Sequence, residues 1–293
     1  MFACGKREQE KTMSTIIDGN RIASQVKAEV LEGVSALVDT YGESARPCLA
    51  LIVFESDPVS KRLVGMKARD CESVGITPRV IPLPDCTEEN ELIALINDLN
   101  ADESVTGILC QLPLPAHIGA KKVLAAIDKT KDADGFSAQI GCDITDIAAC
   151  TPAGVIRLIE ETGVPIAGKN AVVVGRSNIV GKPMAVQLLL RDATVTVCHR
   201  RTSDLASHTR TADILVVAAG CPKLITRDMV KPGAVVIDVG MNYTDEGLCG
   251  DVDFEAVSET ASFITPVPGG VGPMTRAMLL YNTLALARDR SAE

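Results

Sequence analysis

Strands alternating with helices along the whole of this 293-residue chain predict an α/β protein of two domains with a cleft between them. Three observations carry the prediction. Short apolar runs recur with helical stripes between them, as parallel sheets with right-handed crossovers require. A hydrophobic fraction of 46% in a chain of this length can bury a large core, enough for more than one domain. The strand pattern also restarts at Asn170 after an irregular stretch from Lys131 to Pro152, which puts the boundary near residue 159.

The elements follow in order. Ile22, Val26, Val30, Val34, Leu37 and Val38 have helical spacing, and residues 47–54 read as a buried strand. Asp57-Pro58 is a favoured N-cap and first-turn pair, Val64, Ala68, Cys71 and Val74 form a stripe, and Gly75 stops it, so a helix covers 58–74. A strand over 78–83, a helix over 87–99, a strand over 105–111 and a helix over 119–127 come next. After a helix to about Thr162, strands are expected at 170–174, 194–198, 213–218, 234–238 and 262–264. A last helix from Thr275 is expected to pack back on the first domain. There is no internal repeat or low-complexity tract.

Composition excludes several classes of function. No apolar run reaches the roughly 20 residues that span a bilayer, so the chain reads as soluble. A net charge of −9, with three tyrosines, five phenylalanines and no tryptophan, gives neither a basic footprint nor a stacking platform for nucleic acid. Ten cysteines are scattered without a C-x-x-C pair or a metal-ligand spacing and read as reduced thiols of a cytosolic protein. Asp132 and Asp134 lack a neighbouring histidine or third carboxylate, so no metal is expected. Residues 1–12 carry Lys6, Arg7 and Lys11, but Glu8 and Glu10 and the lack of an apolar segment argue for a disordered tail rather than a targeting leader.

The strand at 171–174 runs into Gly175-Arg176-Ser177-Asn178-Ile179-Val180-Gly181-Lys182-Pro183-Met184. This is not G-x-G-x-x-G. Its context is nevertheless that of a Rossmann-like dinucleotide site: a buried strand, a glycine-bearing turn, a helix N-terminus able to receive phosphate, and further strands behind. The next strand ends in His199-Arg200-Arg201, where a ribose is expected, and with Arg176 these guanidiniums suit a 2′-phosphate, which points to NADP. They are otherwise solvated surface arginines.

Leu63 and Lys67 lie one helical turn apart on the same face, and Lys67 falls within the apolar stripe. An amine held out of water gives up its proton more readily, as acid–base work near neutrality requires; the alternative is a lysine snorkelling from the stripe's edge. The segment from Gly107 to Pro115 delivers Gln111 into a proline-stiffened loop containing Pro113, at the carboxyl end of a parallel sheet where such folds bind ligands. Lys131-Asp132-Ala133-Asp134-Gly135-Phe136 offers paired carboxylates in another loop. Gln111 is equally an ordinary strand-end residue, and the aspartates equally turn formers. The run from Thr265 to Thr275, with three glycines and three prolines, reads as a shaped loop walling a ligand site or as a rigid turn.

Together these segments resemble the bifunctional methylenetetrahydrofolate dehydrogenase/cyclohydrolase family. Lys67 with Val74-Gly75-Ile76, Gly107 to Pro115 with His117-Ile118, Lys131 to Phe136, Cys150-Thr151-Pro152, Gly175 to Met184 and Thr265 to Thr275 occur in that family's order and spacing, from about Ile16 to Ala287. The resemblance implies an N-terminal α/β substrate domain, a C-terminal Rossmann-like domain and a cleft between them. It implies Lys67 as general acid/base, Gln111 as the partner that tunes its amine, and Asp134 as the carboxylate that binds the pterin. Leu63, Pro113, Pro268, Gly269 and Gly272 fall to the substrate pocket. Gly175, Arg176, Ser177, Ile179, His199, Arg200, Arg201 and Thr265 fall to NADP. The implied chemistry is hydride transfer from 5,10-methylenetetrahydrofolate and hydrolysis of the methenyl product to 10-formyltetrahydrofolate, within one-carbon metabolism and purine biosynthesis. Two positions depart from the family: Leu63 stands where it carries tyrosine, and residues 137–141 are one residue short and lack its usual asparagine.

The expectation is therefore a cytosolic homodimer with both activities. Its alternatives are a dehydrogenase with impaired hydrolysis, a dehydrogenase of another small substrate, and a nucleotide-binding subunit without catalysis.

Overall fold

The chain enters through β1 (Thr15–Ile16), continues into the helix α1 (Gly19–Tyr41), and only then reaches its first long strand, β2 (Cys48–Phe54). The computed structural model describes residues 13–136, 147–245 and 247–292; the expected tail at 1–12 and the departure at 137–141 lie outside them. The chain divides into two compact units, one drawn from 19–157, 178–184 and the residues from Val271 onward, the other from 13–18, 158–177 and 185–270.

In the first unit, β2 is the centre of a three-stranded parallel sheet of order β3-β2-β4, with β3 at Thr77–Leu83 and β4 at Gly107–Cys110. Leu49 to Phe54 are all buried, because helices cover both faces of a parallel sheet and leave the strand no polar side. The connecting helices are α2 (Pro58–Ser73), α3 (Glu89–Ala101) and α4 (Ala120–Ala126). Asp57 caps α2 by accepting from Val59 N at 3.0 Å and from Ser60 Oγ at 2.6 Å, with Pro58 in the first turn where its missing N–H costs nothing. The helix α5 (Cys150–Glu160) follows. Residues 131–133 add a rung beside β4 through Ile108 N to Lys131 O at 2.7 Å.

The second unit holds a six-stranded, all-parallel sheet of order β1-β11-β8-β7-β5-β6. Its further strands are β5 (Asn170–Val174), β6 (Thr194–Cys198), β7 (Ile214–Val217), β8 (Val235–Asp238) and β11 (Phe263–Ile264). Helices α6 (Gly181–Leu189), α7 (Leu205–Thr209) and α8 (Phe254–Val257) and the hairpin β9 (Asn242–Thr244) with β10 (Gly247–Cys249) complete it. Because β6 and β7 flank β5 on opposite sides, the strand order reverses between β5 and β7, a topological switch point of the kind that opens a crevice at the carboxyl ends.

Two boundaries differ from the sequence expectation. Residues 13–18 belong to the second sheet, where Thr15 and Ile16 pair with Phe263 and Ile264, rather than to the first domain. The last helix, α9 (Val271–Ala292), starts before Thr275, because Pro273 sits in a first turn whose N–H groups need no intrahelical partner. It packs along α1 within the first unit, where Gly33 has no Cβ to meet Leu284 and Arg288. Ile22, Val26, Val30, Val34 and Leu37 of α1 are buried, each stabilising by about 2 kcal/mol. No described helix is long and apolar enough to cross a membrane.

A knot of carboxylates closes the carboxyl end of the second sheet. Asp251 accepts from Ala219 N at 2.6 Å, from Gly220 N and Cys221 N at 2.8 Å, and from Asn242 Nδ2 at 2.8 Å. Asp238 accepts from Gly240 N at 2.9 Å, Asp251 N at 3.0 Å and Val252 N at 2.9 Å. Both are buried, and Gly240 and Gly250 leave room for them, since a Cβ at either would collide with the facing aspartate. Burial pushes the Asp238 carboxyl up to about 6, against the lowering pull of its three backbone donors and with a small upward push from the Asp251 charge.

A group raised in this way favours the folded state fully below its unfolded value near pH 4, and that contribution is lost as pH rises through about 6. Comparing the wild type with Asp238→Asn by denaturant unfolding therefore gives a stability gap that narrows by about 1.4 kcal/mol between pH 5 and pH 8. A flat or widening gap contradicts the assignment.

Candidate active site

Lys67 and Gln111 reach each other from two elements anchored on β2. Gln111 follows β4 directly and its N–H donates to Ile52 O at 2.9 Å, while Lys67 lies on α2, which is separated from the end of β2 by three residues. The Lys67 Nζ donates to Gln111 Oε1 at 2.9 Å. Gln111 Nε2 donates to Leu112 O at 2.6 Å, which fixes the amide with its oxygen toward the amine. Lys67 is half-buried on the face of α2 that buries Val64 and Cys71, so the stripe does hold it partly out of water. Leu63, one turn earlier, is half-buried too.

Asp134 arrives by the rung beside β4. Part of the residue stays accessible, but its carboxyl is packed among protein atoms, and burial raises it above the ordinary carboxylate range. The positive charge of Lys67 and a hydrogen bond from the Cys150 thiol oppose that rise, and the Asp132 charge adds to it. The Cys150 thiol is itself pushed up by burial and by the Asp134 charge, so it serves as a neutral donor. A primary amine, an oriented amide and an enclosed carboxyl thus stand within one unit, a set suited to binding a polar heterocycle and moving a proton.

In the other unit, Gly175 ends β5 with φ +126, and a Cβ there would collide with the Ala218 carbonyl at the end of β7. Only glycine fits at that crossing of the switch point. Gly175 N donates to Cys198 O at 2.9 Å, so the loop after β5 and the turn after β6 emerge side by side. His199 N donates to Thr202 Oγ1 at 2.9 Å, and the His199 Nδ1 accepts from Arg201 N at 3.2 Å, which shapes a turn that leaves Arg200 and Arg201 exposed. Arg176 and Ser177 are exposed beside them. Among the described residues no carboxylate pairs with the guanidiniums of Arg176, Arg200 or Arg201. A glycine-walled crevice with three free guanidiniums fits a phosphate-bearing dinucleotide. Ile179 is exposed in the turn before α6.

The proline-glycine loop is shorter than the sequence suggests, ending at Gly270, and a Cβ on Gly270 would lie 2.6 Å from Pro266 O. Pro268 is exposed after a cis Val267–Pro268 bond, Gly269 has φ +107, and Gly272 is exposed in the first turn of α9. Pro113 is likewise exposed, after a cis Leu112–Pro113 bond. Thr265 is 1% exposed and its hydroxyl accepts from Asp238 N at 2.8 Å, so it anchors the loop to β8.

Three residues of consequence escape the sequence pattern: Cys150, one of the scattered thiols, Asp251, which falls in no predicted element, and Asn282, which sits inside the expected last helix. Only Cys150 carried a signal, through the Cys150-Thr151-Pro152 motif.

Comparison with known proteins gives one family across both units. The model of the tetrahydrofolate dehydrogenase/cyclohydrolase catalytic domain matches residues 17–134, and that of the same family's NAD(P)-binding domain matches residues 149–291. The bifunctional protein FolD of Moorella thermoacetica is 54% identical over 278 residues, 93% of this chain and 98% of that one. The crystal structure of the bifunctional FolD methylenetetrahydrofolate dehydrogenase/cyclohydrolase from Campylobacter jejuni matches with a TM-score of 0.90 at 47% identity, covering 94% of this chain and 99% of that one. The Trypanosoma brucei methylenetetrahydrofolate dehydrogenase-cyclohydrolase, complexed with NADP cofactor and inhibitor, matches with a TM-score of 0.89 at 36% identity, covering 96% and 100%. With both domains matched, and with relatives about as long as itself, this chain belongs to the tetrahydrofolate dehydrogenase/cyclohydrolase family.

Proposed function

We propose that this protein oxidises 5,10-methylenetetrahydrofolate to 5,10-methenyltetrahydrofolate and hydrolyses that product to 10-formyltetrahydrofolate, with NADP as its cofactor. The observation that carries the reading is the 2.9 Å contact from Lys67 Nζ to Gln111 Oε1, with the enclosed Asp134 carboxyl within reach of the lysine's charge. NADP, when bound, supplies the hydride acceptor. Asp134 holds the pterin by hydrogen bonding, and Gln111 keeps the Lys67 amine at one position. In the hydrolytic step Lys67 Nζ, in its unprotonated form, takes a proton from the water that attacks the methenyl carbon; the bond from that carbon to N5 then breaks as the new hydroxyl gives up its proton to become the formyl carbonyl, N5 takes one of these two protons, and the other is released to solvent. The alkyl side chain of Leu63 adds apolar contact on the same helix face but offers no hydroxyl, so Lys67 and Gln111 do this proton handling without a phenol beside them.

Arg200, with Arg176 and Arg201, takes the 2′-phosphate, and Gly175 and Ser177 admit the pyrophosphate. Pro113, on the unit that carries Lys67, and Gly272, in the first turn of α9, border the folate. The product places the protein in one-carbon metabolism upstream of formyl-transfer reactions such as those of purine biosynthesis. Eight free thiols among the described residues are in keeping with a cytosolic location. A homodimer through the second unit is supported by the apolar residues Val186 and Leu189 on α6, Leu190 just after it, and Val197 on the edge strand β6; all four are exposed, and β6 lies at the edge of its sheet.

Measured separately, the two activities of Lys67→Ala part company: methenyl-tetrahydrofolate hydrolysis falls by about a hundredfold or more while NADPH formation persists. Equal loss of both contradicts the role given to the amine. In the same assays Leu63→Tyr raises hydrolysis relative to NADPH formation, and an unchanged ratio shows that the phenol is dispensable. Arg200→Ser raises the KM for NADP by about tenfold with little change for NAD, and a uniform loss for both cofactors counts against 2′-phosphate recognition. Leu189→Glu converts the dimer to monomer in sedimentation velocity; a monomeric wild type removes the dimer proposal.

A further inference from the structure

Asn282 is 2% exposed near the middle of α9, where asparagine is a poor helix former and a buried carboxamide must find partners. Its Nδ2 donates to Ala133 O at 3.0 Å and to Ala148 O at 2.9 Å, which uses both of its N–H bonds, and it lies 3.5 Å from Cys150 Sγ. Those two carbonyls lie on different chain segments. Ala133 immediately precedes Asp134, and Ala148 lies two residues before Cys150, the thiol that meets the Asp134 carboxyl.

The two segments touch so closely that a Cβ on Gly135 would lie 2.7 Å from the Ala148 carbonyl group and from Ala149 N, and Gly135 holds φ +72. Around Asp134 the backbone is tied on both sides. Cys150 N donates to Asp134 O at 3.3 Å, and Gly135 N donates to Asp132 Oδ1 at 3.0 Å. On the preceding residue, Ala133 O receives Asn282 Nδ2, with Cys150 Sγ at 3.4 Å. Asn282 is the only described side chain of α9 that donates to either segment's carbonyl oxygens. Without it, Ala133 O is left with the weak Cys150 thiol, whose single proton also faces the Asp134 carboxyl, Ala148 O loses this donor, and α9 no longer ties the two segments together.

We propose that Asn282 is a positioning residue for folate binding: its carboxamide clamps the Asp134 segment to the Cys150 segment and thereby sets where the Asp134 carboxyl stands. The proposal deepens the reading above and rests on Asp134 as the group that binds the pterin. It assigns to α9, beyond its packing on α1, a polar contact that substrate affinity depends on. Hydride transfer and cofactor binding do not pass through this contact, so their parameters stay level.

The experiment measures KM for methylenetetrahydrofolate, KM for NADP and kcat for Asn282→Leu, Asn282→Ser, Asp134→Asn and the double variant Asn282→Leu/Asp134→Asn. Expected is a rise in folate KM of about tenfold for Asn282→Leu, with kcat and NADP KM within about twofold and no further rise in the double variant. Asn282→Ser, which keeps one short donor and leaves room for water, gives a smaller rise and carries the comparison if Asn282→Leu does not fold. A fall in kcat at unchanged folate KM, or effects that multiply in the double variant, overturns the proposal. An Asp134→Asn variant with normal folate KM overturns both the proposal and the functional reading beneath it. A raised folate KM in Asp134→Asn beside normal values in the Asn282 variants overturns the proposal alone.

Discussion

The hydrogen bond from Lys67 Nζ to Gln111 Oε1 depends on one strand. Gln111 hangs from β2 through Ile52 O, and Lys67 stands on the helix that β2 leads into after a capped turn. The β2–β4 register, in which Ile52 faces Cys110, decides the face on which the next residue emerges. Side chains alternate along a strand, so a slip of one residue would carry Gln111 to the opposite face and leave the amine without its acceptor. The buried run Leu49 to Phe54 resists such a slip, because it would have to repack against both helical layers at once. Chemistry at the sheet's carboxyl end is thus set by apolar packing several residues away.

What was legible in the sequence follows from how local its cause is. The α2 helix could be read because cap, stripe and stop all lie within residues 57–75, and β5 because four consecutive apolar residues precede a glycine that no other residue could replace. Lys67, Gln111 and Asp134 could be singled out as the odd polar residues at the edges of such patterns. By contrast, β1 has two residues and takes its identity from Phe263 and Ile264, almost the whole chain away, so no window of sequence contains its reason. The hairpin β9–β10 escapes the sequence pattern for a related cause: its strands have three residues each and none of those residues is buried. The start of α9 is hidden by prolines and glycines that a first turn tolerates, and the engagement of Thr265 with Asp238 is visible only in three dimensions.

Buried polar groups form the part of the design least visible to pattern reading, and the two units meet the problem with opposite chemistry. Where loops after β7 and β8 turn away from the sheet, several backbone N–H groups converge, and Asp251 and Asp238 collect them with four carboxylate oxygens. A carboxylate is suited to this because it only accepts, although burial pushes the Asp238 carboxyl up to about 6, with a small further push from the Asp251 charge. At Asn282 the convergence is of carbonyls, from Ala133 and Ala148, and the fitting group is one with two donors on a single nitrogen.

The same logic separates the replacements each position can accept. An aspartate at 282 would set oxygen against two carbonyl oxygens, and an asparagine at 251 would turn an N–H₂ toward donors that already lack another acceptor. Each change preserves shape and reverses polarity, so its cost comes from unpaired buried groups rather than from lost volume. A group whose partners are all backbone atoms also cannot be compensated by changing a partner's side chain. That makes Asn282, whose two N–H bonds both go to backbone carbonyls, a fixed point around which the neighbouring apolar residues can vary, and Asp251 one in all but its contact with Asn242.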